Sequence, residues 1–381
     1  MNLSVGIVGL PNVGKSTLFN AILKKQTAFV ANYPFATIEP NVGVIEVPDE
    51  RLPVLAKIVE TQKIVPAVVE FYDIAGLVKG ASKGEGLGNK FLSHIREVSA
   101  IVHVVRLFED GNIIHVANKV DPGSDIQTVE QELMLADLET LSKQKEPKGN
   151  AGKEELESYN VIKFVKEKLD RGIPVRNQNL TDDQQKMIKG LNLLTQKPVI
   201  YVFNVSETQL ENQKEIEEQI EEILTQSHSH ESGNLANSGS PIRSGMTNGA
   251  YLYLNAKLET DVLTFTENEQ KEYLKQYNLD ETGLNRLIKK AYETLGLISF
   301  LTAGEKEVRA WTITKGTFAP QAAGVIHTDF EKSFIKADAI PYSEFVKSGG
   351  WTKARELGKV TSEGKDYIMR DGDVVEFKVN A

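Results

Sequence analysis

The chain has 381 residues, of which 40% are hydrophobic and 25% charged, and its formal net charge is -9 at pH 7. This length favours two or three domains, and the negative charge argues against broad wrapping of nucleic acid. The absence of cysteine excludes disulfides, thiolate metal sites and cysteine nucleophiles, and no apolar run approaches the ~20 residues of a membrane-spanning helix. We therefore expect a cytoplasmic protein without a membrane partner.

An apolar run, Leu3–Val8, is followed by the segment GLPNVGKST at Gly9–Thr17. This order predicts a strand, a glycine-rich loop and a helix over Lys15–Lys24, with backbone N–H groups converging on a phosphate at the helix N-terminus. In such a loop the lysine, here Lys15, reaches the β- and γ-phosphates, and the next hydroxyl, Ser16, holds Mg²⁺. An ordinary strand-to-helix turn is the alternative. The candidate nucleotide-binding residues of this segment are Asn12, Val13, Gly14, Lys15, Ser16 and Thr17.

Two later segments supply further groups for a phosphate site. The loop at Asn32–Asn41 contains two prolines and carries Thr37, whose hydroxyl can complete the Mg²⁺ shell when a γ-phosphate is present. The apolar strand predicted over Val65–Tyr72 leads into Asp73 and Gly76. A carboxylate at the end of such a strand can hold Mg²⁺ through water, and the glycine N–H can contact the γ-phosphate.

Leu77 lies where familiar GTPases carry a glutamine that orients the attacking water. A leucine side chain has no hydrogen-bonding group, so hydrolysis must use another water-orienting group and we expect it to be slow. The glycine-rich run Lys79–Gly88 follows, and we interpret it as a nucleotide-sensing switch, with a passive loop as the alternative.

Together these segments resemble the YchF subfamily of Obg-like P-loop ATPases. The resemblance is carried by GLPNVGKST at Gly9–Thr17, NYPFATIEPN at Asn32–Asn41 and DIAGLVKGASKGEGLGNKFLSHIREV at Asp73–Val98. In that family a hydrophobic residue replaces the catalytic glutamine. The resemblance implies a role in positioning water for His115. It also makes Asn12 a candidate ligand of K⁺.

Residues Asn118–Asp121 match the NKxD motif by which GTPases recognise guanine. Its aspartate would accept two hydrogen bonds from the base. Topology argues against that role, because a parallel return to the strand predicted over Ala100–Phe108 needs a crossover of roughly a dozen residues. Only Glu109–Asn112 separate that strand from Ile113, which predicts a turn.

The better candidate for base recognition ends the buried-type strand predicted within Pro198–Glu207, which follows a long helical excursion. This strand carries NxxE where a GTPase has NKxD. In the YchF pattern the altered motif accompanies a preference for ATP over GTP. We expect Asn204 and the backbone around Val205 to read adenine, with Glu207 completing the motif.

Between these strands, Thr128–Leu141 and Glu154–Leu169 show helical apolar spacing with dense charges of both signs. This pattern predicts a helical hairpin inserted into the nucleotide domain. The family resemblance implies a coiled-coil arm, and a solvated helix pair without a partner is the alternative. The run Ser227–Asn248 is rich in Ser, Gly, Asn and His and is interpreted as a flexible surface insert.

The C-terminal segment predicts mainly strands, including Glu307–Thr314 and Asp373–Val379, with one short helix near Ile340–Lys347. It resembles the TGS domain of the family, a ubiquitin-like β-grasp fold. We expect three parts: a P-loop α/β domain of the Obg-type at 1–127 and 192–297, a helical coiled-coil insertion at 128–191, and the TGS domain at 298–381. Basic residues that can face RNA in the last part are Lys332, Lys336, Lys353, Arg355 and Lys359, although a generic solvated surface is an alternative.

The resemblance implies a ribosome-associated ATPase that hydrolyses ATP slowly to ADP and phosphate and regulates translation or the stress response. Its implied partners are the large ribosomal subunit or ribosome-linked RNA or protein, with no DNA expected. One alternative is a GTPase that uses Asn118–Asp121. The other is an RNA- or ribosome-binding scaffold in which nucleotide is a structural ligand.

Overall fold

The computed structural model describes residues 4–32, 41–74, 87–110, 120–148, 152–229 and 251–380. The chain divides into two compact units, the first formed by Met1–Gly43 with Glu70–Leu287 and the second by Val44–Val69 with Ile288–Ala381. The three-part domain division given above stays a prediction. Within the described ranges, no helix combines the length and apolar character needed to cross a membrane.

The strands are, in chain order, β1 Ser4–Val8, β2 Val42–Glu46, β3 Ile64–Val65, β4 Val68–Asp73, β5 Ala100–Arg106, β6 Val199–Asn204, β7 Tyr251–Leu254, β8 Leu297–Ala303, β9 Val308–Thr314, β10 Phe334–Pro341, β11 Thr361–Glu363 and β12 Asp373–Val379. The helices are α1 Lys15–Asn32, α2 Arg51–Ile58, α3 Leu87–Glu97, α4 Pro122–Ser142, α5 Lys153–Asp170, α6 Asp182–Ile188, α7 Gln213–Ser229, α8 Ala256–Val262, α9 Glu267–Gln276, α10 Gly283–Thr294, α11 Ala319–Ile326, α12 Thr328–Lys332, α13 Tyr342–Ser348 and α14 Trp351–Glu356.

The first sheet has the strand order β2-β4-β1-β5-β6-β7. The pairs β4–β1, β1–β5, β5–β6 and β6–β7 are parallel, and every residue of β1, β5 and β6 is buried. Strands buried on both faces need continuous apolar runs, which is why these segments are Val- and Ile-rich. The parallel pairing of β6 with β5 confirms the predicted crossover and brings the carboxyl ends of these strands to one edge.

Two helices of the first unit begin or end away from the predicted positions. Helix α1 extends to Asn32 rather than Lys24, since no glycine or proline interrupts the chain before Pro34. Helix α4 begins at Pro122 rather than Thr128, because the Asp121 carboxylate accepts a hydrogen bond from the Ser124 N–H at 3.0 Å and proline suits the first turn. The aspartate of the apparent NKxD motif is therefore a helix cap.

The predicted helical hairpin corresponds to α4 and α5, which share an apolar cluster with the shorter helices that follow them. Asp137 of α4 is fully buried and anchors the return to the sheet. Its two carboxylate oxygens accept hydrogen bonds from the Leu194 N–H at 2.7 Å, the Thr195 N–H at 2.8 Å and the Thr195 hydroxyl at 2.7 Å. Thr181 caps α6, because Thr181 and Gln184 form a reciprocal capping box.

A buried polar cluster joins the hairpin to the sheet. Glu130 of α4 forms an ion pair with Arg176 and accepts a hydrogen bond from the Tyr201 hydroxyl at 3.2 Å. His103 of β5 lies beside Tyr201, with ring centroids 5.6 Å apart, and is 2% exposed. Among the residues that the structure describes, its Nδ1 has no hydrogen-bond partner. Burial lowers the pKa of His103 from 6.5 to about 4, with Glu130 opposing the shift and Arg176 and Lys15 adding to it.

The second unit is built on a sheet with the order β11-β10-β12-β8-β9-β3. The pairs β8–β9, β10–β12 and β10–β11 are antiparallel, whereas β3 runs parallel to β9. The guanidinium of Arg51, at the start of α2, bonds to Asp49 and Asp371 at 2.8 Å each. The short segment at 44–69 is thereby tied into the unit formed with the C-terminal residues.

The expectation of a single short helix in the C-terminal segment is wrong. Besides α13, this segment contains α11, α12 and α14. Helix α11 is rich in alanine and has a proline in its first turn, where proline favours the start of a helix. Its 8 residues are too few to show a clear helical periodicity in the sequence. The predicted β12 is confirmed at both ends, and β9 begins one residue later than predicted.

The titration of His103 leads to a prediction about stability. Its folded pKa lies below the unfolded value, so its contribution to stability is present above pH 6.5 and is lost as the pH falls towards 4. We expect the free energy of unfolding to fall by up to about 1.4 kcal/mol per pH unit in this window. In His103→Phe, which keeps a ring beside Tyr201, that decline should be much smaller. Urea unfolding at pH 7, 6, 5 and 4.5 measures it.

The matched control is His94→Gln, because His94 is an exposed residue of α3. This variant should keep the decline of the parent protein. Equal declines in the parent and His103→Phe would contradict the assignment.

Candidate nucleotide-binding site

The loop between β1 and α1 has a backbone that its glycines make possible. Gly9 and Gly14 have φ values of 152° and 100°, and Asn12 has φ 62°. A Cβ atom added to Gly9 would lie 2.4 Å from the Val104 carbonyl oxygen, and one added to Gly14 would lie 2.2 Å from Asn204 Nδ2. The loop therefore approaches two neighbouring strands too closely for any side chain at these positions.

Asn204, the last residue of β6, fastens this loop to a second loop. Its side chain is buried. The Nδ2 group donates to the Val13 carbonyl at 2.9 Å, and Oδ1 accepts from the Ala256 N–H at 3.0 Å. Asn255 adds a bond from its Nδ2 to the Val205 carbonyl at 2.8 Å. The ends of β1, β6 and β7 are thus held together by side-chain amides, an arrangement that we call the amide clasp.

Lys15 and Asp73 bring opposite charges to the same edge of the sheet. Lys15 is 8% exposed, and its Nζ donates to the Leu10 carbonyl at 2.9 Å. Asp73 is half-buried at the end of β4, in register with Ile7 of β1. Burial lowers the pKa of Lys15 and raises the pKa of Asp73, and the attraction between the two charges opposes both shifts. Each charge stabilises the ionised form of the other where solvation is poor.

A cavity of about 720 Å³ opens at this edge, within the size range of small-molecule sites. One end is lined by the glycine loop and the start of α1. The other is lined by residues after β5, β6 and β7 and by α9, including Phe108, Lys257 and Tyr273. The cavity joins groups suited to phosphates with groups suited to a planar base.

The structure brings most of the sequence-predicted site residues to this cavity. The predicted residues that line it are Asn12, Gly14, Lys15, Ser16, Thr17, Asn204, Val205 and Glu207. Val13 is buried behind the loop and contributes its carbonyl oxygen to the amide clasp. Asp73 interacts electrostatically with Lys15. Thr37, Gly76 and His115 lie outside the described residues, and so does Leu77.

Sequence reasoning did not find Phe108 or Tyr273, which also line the cavity. Phe108 belongs to the segment that we assigned to a buried strand, but β5 ends at Arg106. The Arg106 guanidinium lies 4.5 Å from the centre of the Phe108 ring. Tyr273 is a half-buried residue of a polar helix and has no local motif that marks it.

The close approach at Gly14 yields a prediction. In Gly14→Ala the new methyl group must displace Asn204, which breaks the amide clasp at its bond to Val13. We expect affinity for a fluorescent ATP analogue to fall by about tenfold or more, as measured by equilibrium titration.

The control is Gly172→Ala, since Gly172 has φ 83° and open space around the added Cβ atom. Alanine at this positive φ destabilises the backbone by about 1 kcal/mol, as at Gly14, but Gly172 does not contact the cavity. An unchanged affinity in Gly14→Ala would show that the loop does not need this close packing.

Two family models match the chain. Residues 4–137 match a model described as "50S ribosome-binding GTPase", and residues 297–380 match one described as "Protein of unknown function (DUF933)", the YchF-GTPase C-terminal model. The chain is 46% identical over 384 residues to the ribosome-binding ATPase YchF of Bacillus subtilis, with all of both chains covered. It is also 46% identical over 385 residues to the protein of that name from Haemophilus influenzae, again with full coverage of both chains.

A solved structure, titled as the YchF GTPase of Schizosaccharomyces pombe, matches with a TM-score of 0.84 at 39% identity. The match covers 99% of this chain and 98% of that one. The resemblance inferred from the sequence motifs is therefore confirmed, as are the α/β class with a P-loop domain and the β-rich C-terminal part. The chain belongs to the YchF family of P-loop nucleotide hydrolases.

Proposed function

We propose that this protein is a ribosome-associated ATPase that binds ATP with Mg²⁺ and hydrolyses it slowly to ADP and phosphate. The carrying observation is the cavity that joins the glycine loop to the Asn204–Glu207 segment through the amide clasp. Its full-length bacterial relatives carry the name ribosome-binding ATPase. We assign it a regulatory role in translation or the stress response in the cytoplasm, with the large ribosomal subunit as partner.

The residues around the phosphate end fit a magnesium ion. Ser16 offers a hydroxyl in the cavity. Asp73 offers a half-buried carboxylate whose pKa is raised by burial, so a bound cation would stabilise its ionised form. We assign Ser16 and Asp73 as ligands, Asp73 through water, with Thr37 as the third protein group. Bound there, Mg²⁺ would neutralise charge on the β- and γ-phosphates. Asn12 is the proposed ligand of K⁺.

The remaining catalytic work falls to groups of the chain itself. Lys15 would turn from the Leu10 carbonyl to the phosphates, and loop N–H groups would stabilise charge on the γ-phosphate during in-line attack by water. Gly76 would donate its N–H to the same phosphate, and His115 would help to position water. Because Leu77 cannot orient that water, we expect turnover below the ~1–100 s⁻¹ range of kinases.

The first test is an equilibrium titration with fluorescent ATP and GTP analogues in Mg²⁺ and K⁺, each competed by its unlabelled nucleotide. We expect ATP to bind at least about tenfold more tightly than GTP, because the base meets Asn204 and the backbone of Val205 rather than an NKxD motif. Lys15→Ala should weaken ATP binding and abolish hydrolysis. Lys24→Ala, which changes an exposed lysine of the same helix, should do neither.

The variant Asp121→Asn distinguishes the GTPase alternative. Asparagine caps a helix as well as aspartate does, so α4 should remain intact. Loss of GTP binding in this variant, together with a GTP preference in the parent protein, would replace our assignment with recognition of guanine by Asn118–Asp121. Unchanged binding supports the assignment to Asn204–Glu207.

The ribosome link is tested by co-sedimentation with separated ribosomal subunits. We expect the protein to pellet with the large subunit and the bound fraction to differ between ATP and ADP. In Lys15→Ala this nucleotide dependence should disappear. Equal binding by the parent and Lys15→Ala under both nucleotides would favour a scaffold in which nucleotide has a structural role.

A further inference from the structure

Glu207, the last residue of the base-proximal NxxE motif, is held by two tyrosines of the α9 region. The Tyr273 hydroxyl donates to Glu207 Oε1 at 3.0 Å, and the Tyr277 hydroxyl donates to the same oxygen at 2.5 Å. Both bonds therefore end on one carboxylate oxygen. A carboxylate oxygen has two lone pairs, so these two hydroxyls fill the accepting capacity of Oε1.

The two phenol rings are themselves fixed by packing. Tyr273 and Tyr277 meet edge to face with centroids 5.5 Å apart, and Phe265 contacts Tyr273 in the same way at 5.4 Å. Tyr277 is 9% exposed, and its carbonyl accepts a hydrogen bond from Gln213 Nε2 at 2.7 Å. Glu207 is an exposed residue at the cavity edge, yet its carboxylate points to a rigid pair of donors. The tyrosine bonds lower the pKa of Glu207, so the group is ionised at neutral pH.

This arrangement lies in the nucleotide cavity. Glu207 and Tyr273 line it together with Asn204 and Val205. Glu207 follows Asn204 by three positions, the spacing at which the aspartate of an NKxD motif follows its asparagine. In guanine recognition that carboxylate accepts the N1–H and the exocyclic amine with its two oxygens. A carboxylate with Oε1 already engaged cannot make this paired contact without giving up the tyrosines.

We propose that Tyr273 and Tyr277 are positioning residues for base specificity, which hold Glu207 so that it cannot accept the paired donors of guanine. The inference depends on the proposed nucleotide-binding role of the cavity. Adenine has an acceptor at N1 and so presents no such pair of donors. Restraint of Glu207 therefore disfavours GTP while leaving ATP binding unaffected.

The test is the double variant Tyr273→Phe/Tyr277→Phe, which removes both hydroxyls and keeps both rings. Dissociation constants are measured for ATP, GTP and ITP, whose base has the N1–H but lacks the exocyclic amine. We expect GTP to bind about tenfold more tightly than to the parent protein, ITP to gain less than GTP, and ATP to change by less than about twofold. A general loosening of the cavity would move all three nucleotides together.

Two further variants complete the design. Tyr159→Phe removes a hydroxyl from α5, away from the nucleotide cavity, and should alter none of the three constants. Adding Glu207→Gln to the double variant should abolish the gain in GTP affinity, because an amide has one accepting oxygen and cannot pair with the N1–H and the exocyclic amine through two oxygens. Thermal unfolding of each variant with and without nucleotide confirms that the chain is folded.

The outcomes separate this inference from the proposed function. If the parent protein prefers GTP but the double variant still gains GTP affinity, the ATPase assignment fails and the role of the tyrosines stands. Suppose instead that the parent prefers ATP. The role of the tyrosines is then overturned if the folded double variant shows no gain in GTP affinity, or if such a gain persists after Glu207→Gln is added. The ATPase assignment is then unaffected.

Discussion

The proposed nucleotide site depends on one buried side chain, Asn204, which bonds to the glycine loop with one end and to the loop after β7 with the other. Both contacts are made where water is excluded, so loss of either leaves a backbone group unsatisfied at a cost of about 1–3 kcal/mol. The lack of a side chain at Gly14 is part of the same constraint, because the Asn204 amide occupies that space. Parallel strands in register make the arrangement possible, since they end at a common edge.

The four residues Asn204–Glu207 divide their chemistry between structure and the recognition that we propose. Asn204 points into the protein and sets the distance between two loops. Val205 is buried, and its carbonyl accepts a hydrogen bond from the Asn255 side chain in the loop after β7. Glu207 points outward to the tyrosines of the α9 region. A short motif thus fixes the cavity at one end and presents a restrained charge at the other, and neither role is visible in the letters NVSE.

The parts of the fold that could be predicted are those with local causes. Buried apolar runs marked β1, β5 and β6, the spacing of Gly9 and Gly14 marked the phosphate loop, and Thr181 with Gln184 marked a helix start. What could not be predicted depends on partners distant in sequence. Tyr273 acquires its role from a residue 66 positions away, and β3 is a strand because it pairs with β9. Short helices such as α11 were missed because one or two turns carry little periodicity.

The non-contiguous second unit has a consequence for synthesis of the chain. The segment at 44–69 leaves the ribosome early, but Val308, which pairs with Ile64, is made on the order of 240 residues later, at roughly 5–20 residues per second. For some tens of seconds the strand Ile64–Val65 therefore has no β9 to pair with. During the same time the Arg51 guanidinium lacks the carboxylate of Asp371. A nascent chain of this protein is therefore exposed to mispairing for longer than one whose second unit is continuous in sequence.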